Sequence, residues 1–283
     1  MIKYFTEYKG EYMEKKYYTP AEIYNNIVLS GNKKINSSNK IILVKGIIAG
    51  MSVALAGCAT TVATHDIANY GLAKLIAGVT FPVGLIIIVC AGAQLFTSEC
   101  LDILNTKDYK ANLAKIIKVL VLVYLANLIG AVIIGYLVAN SGQLTMSSNG
   151  LAHYVFKIAN GKLNLDPIQA FNSGIICNIL VCLAVVTYNA AKDATGKIFG
   201  VFFVIMAFAI SGVEHCVANM YYFAVAFFAK FHSPFTAGVD VSEITLSNIF
   251  TNNLLPVTLG NIVGGLFLAA LLYYSIRDKE LFK

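Results

Sequence analysis

The 283-residue chain is too apolar to be an ordinary soluble domain. Hydrophobic residues make up 58% of the sequence, charged residues only 13%, and the mean hydropathy is +0.70, whereas soluble domains carry about a quarter charged residues. The net charge of +6 comes from lysines and arginines that lie mostly outside the apolar blocks, so it does not indicate nucleic-acid binding. The composition therefore predicts a polytopic helical membrane protein that sits in a lipid bilayer.

The first 40 residues are polar and rich in Tyr, Lys and Glu, with no apolar signal-peptide core before Ile41. We predict that residues 1–40 form a cytoplasmic N-terminal segment. Its amphipathic stretch, Pro20–Leu29, is expected either to lie on the membrane surface or to belong to a soluble tail. The acidic residues of the segment permit a response to pH; they are Glu7, Glu11, Glu14 and Glu22.

Six apolar blocks follow in chain order. They cover residues 41–64, 74–105, 113–140, 167–189, 198–230 and 254–276. Each is long enough to span a bilayer, which takes about 20 helical residues. We therefore expect a transmembrane domain over residues 41–276 and a short cytoplasmic tail over residues 277–283.

The basic residues predict the orientation of these spans. An even number of spans puts both termini on one side of the membrane. If that side is the cytoplasm, only four of the 21 Lys and Arg residues face outward: Lys74, Lys157, Lys162 and Lys230. The positive-inside rule thus predicts a protein of the cell (inner) membrane with both termini cytoplasmic.

The chain contains a repeat of three spans. Residues 46–56 and 174–184 share Gly, Ile, Ile, Val, Leu and Ala at a fixed offset of 128, and residues 127–131 resemble residues 261–265 at an offset of 134. Because each copy crosses the membrane three times, the second copy is inverted relative to the first. Inverted repeats that each contain one broken helix are typical of transporters.

Polar residues interrupt the second and fifth blocks, where the sequences GAQLFTSECLD and SGVEHC stand. Glu214 and His215 lie near the middle of the fifth block, where a charged side chain costs about 2.5 to 3.5 kcal/mol. A histidine at this depth favours a proton-linked role, since its charge changes near physiological pH. The alternative is that both side chains only satisfy backbone groups freed by the break, with Glu214 as an anchor of the loop.

Thr97 is predicted to hold the corresponding position in the second block, where its hydroxyl can donate to an anion or to an imidazole. Glu99 fits the cap of the helix that restarts there. Lys162 and either Lys33 or Lys34 are candidates to attract anions to the two mouths of a pore, unless they are ordinary solvated lysines.

No pattern in the sequence indicates a cofactor, a metal or an enzyme. The six cysteines lie inside or at the ends of apolar blocks without metal-ligand spacing, so we interpret them as packing residues. A nucleophile constellation is also absent. An aquaporin-type channel would need paired NPA loops, and the chain contains no NPA.

Three segments resemble the signatures of the formate/nitrite transporter family: GAQLFTS, SGVEHCVANM and NLLPVTLGNIVGG. The resemblance extends from about Lys33 to Tyr274. It implies an all-α, aquaporin-like fold with six transmembrane helices in two inverted repeats, of which the second and fifth helices are broken. It also implies a homopentamer in which each protomer has its own pore for a small monovalent anion, such as formate, nitrite or hydrosulfide.

The same resemblance assigns roles to residues that composition and spacing do not single out. It identifies Leu95, Phe96 and Thr97 as the loop in the break of the second span and His215 as the central pore histidine. It matches Lys162 to the outer vestibule lysine and Lys34, in preference to Lys33, to the inner one. The hydrophobic constrictions are expected at Phe81, Leu85, Asn178, Val181 and Phe208, with Leu95 closing the inner side.

Gln94 departs from the family pattern, because many relatives have an acidic residue before LFT. The constriction set favours formate as the substrate, with proton-linked passage past His215. A nitrite or hydrosulfide channel of the same fold, or a proton-coupled secondary carrier of short monocarboxylates, are the alternatives.

Overall fold

A computed structural model describes residues 17–277 of the chain. Residues 1–16, which include Glu7, Glu11 and Glu14, and the predicted tail beyond Arg277 lie outside the described residues. The described part is helical, with one isolated antiparallel bridge between Tyr17 and Ala191. Its helices are α1 (Pro20–Ile35), α2 (Asn39–Thr64), α3 (Tyr70–Thr80), α4 (Val83–Ala91), α5 (Phe96–Glu99), α6 (Asn105–Asp108), α7 (Leu113–Asn140), α8 (Gly150–Leu163), α9 (Pro167–Ala190), α10 (Ala194–Ser211), α11 (Cys216–Ala229), α12 (Leu246–Asn248) and α13 (Leu255–Ile276).

The six predicted spans are confirmed. Six apolar helices long enough to cross a membrane cover residues 39–64, 70–91, 113–140, 167–190, 194–211 and 246–276. The second and fifth blocks are both interrupted at their polar residues, as predicted: α4 is separated from α5, and α10 from α11. The breaks fall at Gly92 and Gly212, which end α4 and α10 with φ angles of +61° and +66°. Glycine adopts this left-handed conformation without the steric cost that a Cβ would add.

The inverted repeat is confirmed by the packing of the helices. In the first half α2 packs along α7, and in the second half α9 packs along α13. Gly130 of α7 lies directly against the carbonyl oxygen of Ile47, and its counterpart Gly264 of α13 lies against that of Ile175. A Cβ at either glycine would collide with that oxygen. The two pairs of residues obey the offsets of 134 and 128 that the sequence predicts.

Helix α1 is docked on the helical bundle, so the stretch Pro20–Leu29 is not part of a soluble tail. Thr19 and Glu22 form a capping box that starts the helix. Its apolar face is buried against a cluster that includes Leu101, Leu104, Cys182, Leu268 and Leu272.

Two polar contacts tie α1 to the end of the last span. Asp108 accepts a hydrogen bond from the Tyr24 hydroxyl at 2.5 Å and pairs with Arg277 Nε, also at 2.5 Å. These contacts define one face of the protein, the proximal face, which carries α1, α6 and Arg277. The opposite, distal face carries α8 and the segment 231–245, which are joined by a hydrogen bond from Asn160 to the carbonyl oxygen of Asp240.

Candidate functional site

The two short helices that follow the breaks begin next to each other inside the bundle. Leu95 precedes α5 and His215 precedes α11, and both have extended backbone angles at this position. The hydroxyl of Thr97 lies 2.9 Å from His215 Nε2, and both residues are buried. This hydrogen bond joins the second span to the fifth at the centre of the fold.

The structure corrects the prediction that Thr97 corresponds to His215. An offset of 120 residues relates Gly92 to Gly212, and both glycines end the helix before a break. The same offset relates Leu95 to His215. Thr97 is instead the hydrogen-bond partner of the histidine from the opposite half.

The backbone of α11 determines which nitrogen of His215 carries the proton. His215 Nδ1 accepts a hydrogen bond from the N–H of Ala218 at 3.0 Å and thereby caps the helix. In the neutral ring, the hydrogen therefore sits on Nε2 and is donated to the oxygen of Thr97. A second proton on Nδ1 would face the Ala218 N–H and break this cap.

A cavity of about 230 Å³ leads from the distal face towards His215. Its polar lining comes from residues of α2, α3, α8, α11 and the second break: Thr60, Thr61, Thr64, Tyr70, Lys74, Tyr154, Lys162, His215, Asn219 and Tyr222. The rings of Phe81 and Phe208 close its inner end, with their centroids 5.6 Å apart. Phe208 also contacts His215 edge-on at 5.8 Å.

A second cavity of about 20 Å³ lies on the inner side of these rings. It has room for about one water molecule. Phe81, Leu85, Leu95, Val181, Phe208 and His215 line it, together with Val53, Gly84 and Ile205. The structure thus brings five of the apolar residues named by the resemblance to one small chamber beside the histidine.

Two other residues named by the resemblance line neither of these two cavities. Asn178 is buried between α9 and α13, where its amide donates to the carbonyl oxygen of Asn261 at 2.6 Å. Phe96 points away from the chamber and packs edge-on against Tyr124, with ring centroids 4.9 Å apart. Both side chains support the walls of the site from behind.

Two buried asparagines satisfy the backbone groups that the breaks leave free. In the first half, Asn127 accepts from the N–H of Phe96 at 2.9 Å and donates to the carbonyl oxygens of Gly46 and Gln94 at 2.8 and 3.0 Å. Such pairing is required at membrane depth, where water is not available to the backbone.

Asn261 makes the same three bonds in the second half. It accepts from the N–H of Cys216 at 3.0 Å and donates to the carbonyl oxygens of Gly174 and Glu214 at 2.8 and 3.1 Å. The repeat pairs Asn127 with Asn261 in the sequence, yet nothing in the sequence alone reveals this bracing role.

At the break after Gly212, which we call the distal break, both carboxylate oxygens of Glu214 are hydrogen-bonded. One carboxylate oxygen contacts Lys162 Nζ at 2.7 Å, and the other accepts from the amides of Asn219 and Asn253 at 2.6 and 3.3 Å. Lys162 thereby lines the distal cavity with its charge balanced by Glu214. This arrangement agrees with the alternative prediction that Glu214 anchors the loop at the break.

The break after Gly92, which we call the proximal break, has an amide where the distal break has its acid, and an acid where the distal break has its amide. Gln94 occupies the position of Glu214, and Glu99 occupies the position of Asn219, by the offset of 120. Glu99 Oε1 lies 2.8 Å from Lys34 Nζ, and Gln94 donates to Glu99 Oε2 at 3.4 Å. The expectation that Glu99 caps α5 is wrong, because its carboxylate is engaged by these partners and α5 has no side-chain cap.

Lys34 is held in place by buried acidic neighbours. Partial burial alone would lower the pKa of Lys34, but the carboxylates of Glu99 and Asp102 outweigh it and hold that pKa well above its usual value. Glu99 and Asp102 are both buried, whereas the neighbouring Lys33 is exposed. The geometry therefore favours Lys34 over Lys33 as the residue that faces the proximal break.

This ion pair predicts an asymmetric effect of mutation. Lys34→Met leaves Glu99 buried and unpaired and is expected to lower the free energy of unfolding by about 3 kcal/mol or more. Glu99→Gln leaves only a partly exposed lysine and is expected to cost less, and the double variant should recover part of the loss. The midpoints of thermal unfolding in detergent are compared for the two single variants and the double variant, with Lys33→Met as the matched control. Equal midpoints for Lys34→Met and Lys33→Met would contradict a stabilising pair.

The fold and the site together define a pore-forming membrane protein of the channel and transporter class, because two inverted halves meet at a polar centre between apolar constrictions. Residues 21–275 match the family model described as formate/nitrite transporter. The chain therefore belongs to the formate/nitrite transporter family. Members of this family and its structural neighbours are channels and transporters, so the protein is not an enzyme.

Individual relatives agree with this assignment. The chain is 37% identical to a probable formate transporter of Methanothermobacter thermautotrophicus, over 84% of this chain and 89% of the relative. It is 36% identical to the formate channel FocA of Haemophilus influenzae, over 87% of this chain and 90% of the relative. Among solved structures, a pentameric formate channel with formate bound has 32% identity and a TM-score of 0.76, over 83% of this chain and 96% of that one.

Proposed function

We propose that the protein is a homopentameric channel that passes formate through a pore in each protomer. The observation that carries this proposal is the chamber of about 20 Å³ that Phe81, Phe208 and His215 enclose. Because the chamber has room for about one water molecule, only the smallest solutes are expected to pass it, with a small movement of the Phe81 and Phe208 rings. Formate is the smallest carboxylate, and the similar proteins whose names state a substrate name either formate alone or formate and nitrite.

Formate is proposed to cross the constriction as neutral formic acid. A bare anion would lose several kcal/mol or more of hydration between the rings of Phe81 and Phe208. If formate first binds a proton, the carboxylic acid that passes carries no charge, and it releases the proton on the other side. Each transfer then moves one formate and one proton together.

The geometry of His215 supports water in the vestibule as the source of this proton. The ring is fixed as a neutral donor by the Ala218 N–H on one side and by Thr97 on the other. We propose that His215 orients the acid by hydrogen bonding and is not itself protonated and deprotonated in each transfer. Nitrite and hydrosulfide, which are also small weak-acid anions, are alternative substrates under the same scheme.

The orientation follows from the distribution of lysines. We propose that the proximal face, with α1 and Arg277, is cytoplasmic in the cell (inner) membrane, and that the distal face opens outward. Lys162 then stands at the outer vestibule and Lys34 at the inner one. The charge of each lysine is balanced by an acidic partner, Glu214 or Glu99, so we propose that both assist anion entry chiefly as hydrogen-bond donors.

The proposal is tested by flux into liposomes that contain the purified protein. Formate, nitrite, acetate and hydrosulfide are compared from about pH 5 to 8, the range over which histidine titrates. We expect formate to lead and its flux to rise as pH falls, because the neutral fraction of a weak acid rises about tenfold per pH unit above its pKa. Faster flux of nitrite or hydrosulfide would assign the pore to that anion, and flux of none of the four would refute the transport proposal.

A carrier that alternates between two states is the second candidate, because the Phe81 and Phe208 rings separate the two cavities in the structure. Flux that saturates only at high formate concentration, with single-channel currents, supports the channel. Saturation at low concentration with acceleration by formate on the opposite side supports the carrier.

A further inference from the structure

The distal cavity contains a second lysine, whose charge has no acidic partner among residues 17–277. Lys74 of α3 is half-buried and lines this cavity together with Lys162. Lys162 is neutralised by Glu214 at 2.7 Å. None of the ion pairs found within residues 17–277 includes Lys74, whose described aromatic contact is the Tyr70 ring at 5.5 Å. Lys74 therefore supplies the net positive charge of this vestibule.

The end of a helix explains why Lys74 points into the cavity. Its ammonium nitrogen lies over Gly212, where an added Cβ would stand 2.6 Å from it. Gly212 ends α10, and the carbonyl groups at the C-terminus of a helix carry partial negative charge. The helix end stabilises the ammonium group in this position while leaving its full charge uncompensated by a carboxylate.

The inverted repeat shows that the fold does not require this lysine. The offset of 120 that relates Gly92 to Gly212 places Ala194 at the position of Lys74. At the proximal break, a Cβ added to Gly92 would meet no atom within 4 Å. One break is therefore built with a lysine over its glycine and the other without, so the role of Lys74 is not to hold the break together.

Other hydrogen-bond donors face the same space. Thr64 donates its one hydroxyl hydrogen to the Thr60 carbonyl oxygen at 2.8 Å, so the Tyr154 hydroxyl, which also lines the cavity, directs its hydrogen to Thr64 at 3.3 Å and is not counted among these donors. Lys162 retains N–H groups beyond the one directed to Glu214. Two ammonium groups thus line one cavity that ends at the Phe81 and Phe208 rings.

We propose that Lys74, with Lys162, forms an anion-binding site in the distal vestibule that holds a small monocarboxylate before it enters the constriction. This inference rests on the proposed function, because the anion bound there is the one that the pore conducts. The uncompensated charge of Lys74 raises the local concentration of anions and thereby lowers the concentration at which flux saturates.

The test compares Lys74→Gln with Lys157→Gln, which removes an exposed lysine from α8 outside the cavity. Initial rates of formate entry into liposomes are measured over a range of formate concentrations, at low and at high ionic strength. At low ionic strength, Lys74→Gln is expected to raise the half-saturating concentration roughly three- to tenfold, with a maximal rate close to that of the wild type. At about 1 M salt the difference should largely vanish, since the screening length falls to about 3 Å.

The controls separate this inference from the function on which it rests. Lys157→Gln and Lys74→Arg are expected to behave like the wild type under both conditions. If Lys74→Gln matches Lys157→Gln at low ionic strength, or lowers only the maximal rate, the vestibule site is refuted while formate transport stands. If the wild type itself passes no formate, the proposed function fails, and that result is visible before any variant is compared.

Discussion

Replacing His215 by Asn is expected to preserve the rise of formate flux at low pH, whereas replacing it by Leu is expected to lower flux at least about tenfold. Asparagine offers an oxygen that can accept from the Ala218 N–H and an amide that can donate to Thr97, so both bonds of the histidine are retained. Asn is also a good residue at the start of a helix. Leucine supplies neither bond and leaves the chamber without a polar group from this position.

The pair of variants separates two roles for the histidine. If His215 itself passes the proton, the Asn variant loses the titrating group, and its flux becomes insensitive to pH over the range of histidine titration. If His215 only orients the acid, the Asn variant keeps the pH profile at a reduced rate. The measurement is formate flux into liposomes from about pH 5 to 8 for the wild type and both variants. A flat profile for the Asn variant would refute the orienting role.

Thr97 provides an internal check on the same assignment. Thr97→Val removes the acceptor for His215 Nε2 while it preserves the size of the side chain, so it releases the ring on one side only. Its flux is expected to fall between those of the wild type and the Leu variant at position 215. An unchanged rate for Thr97→Val would show that the cap on Ala218 alone fixes the histidine.

The architecture was accessible from the sequence because it depends on repeated patterns. Six apolar blocks and the matched residues of their first and third spans predict two inverted halves, and the structure confirms them. His215 is conspicuous because a titratable side chain in an apolar run is costly and therefore informative.

The residues that line the chamber cannot be predicted from such patterns. Phe81, Leu85, Val181 and Phe208 are apolar residues in apolar helices, and nothing in their immediate sequence separates a side chain that lines a pore from one that faces lipid. Only the family resemblance identified them. The assignment of pore residues by resemblance has a limit at Asn178 and Phe96, since the structure places both outside the two cavities that meet at His215.

The sequence also does not predict which charged side chains pair with each other, because pairing depends on which helices meet in space. Glu99 lies just after a polar interruption in an apolar block and therefore suggests a helix cap, but docking of α1 brings Lys34 against it. The exchange of acid and amide between the two breaks, with Gln94 and Glu99 opposite Glu214 and Asn219, becomes visible only when the two halves are superimposed by their glycines.

Replacing Asn261 by Leu is expected to lower the free energy of unfolding by about 3 kcal/mol or more and to abolish flux. The substitution keeps the number of side-chain heavy atoms but leaves the N–H of Cys216 and the carbonyl oxygen of Glu214 without their partner, and it removes the bond to the carbonyl oxygen of Gly174. Each buried group left unsatisfied costs about 1–3 kcal/mol. The loss includes the groups that position Glu214 and His215, so the site is disturbed along with the fold.

Asn127→Leu should lower stability by a similar amount, because Asn127 makes the same three bonds in the other half. Asn140→Leu, an exposed position at the end of α7, is the control and should change little. Thermal unfolding of the purified proteins in detergent provides the comparison. The inverted repeat makes this a demanding test, since two residues 134 positions apart must respond alike. If only one of the two substitutions destabilises the protein, the asparagine hydrogen bonds do not stabilise both breaks alike. The two halves would then be equivalent in backbone fold only.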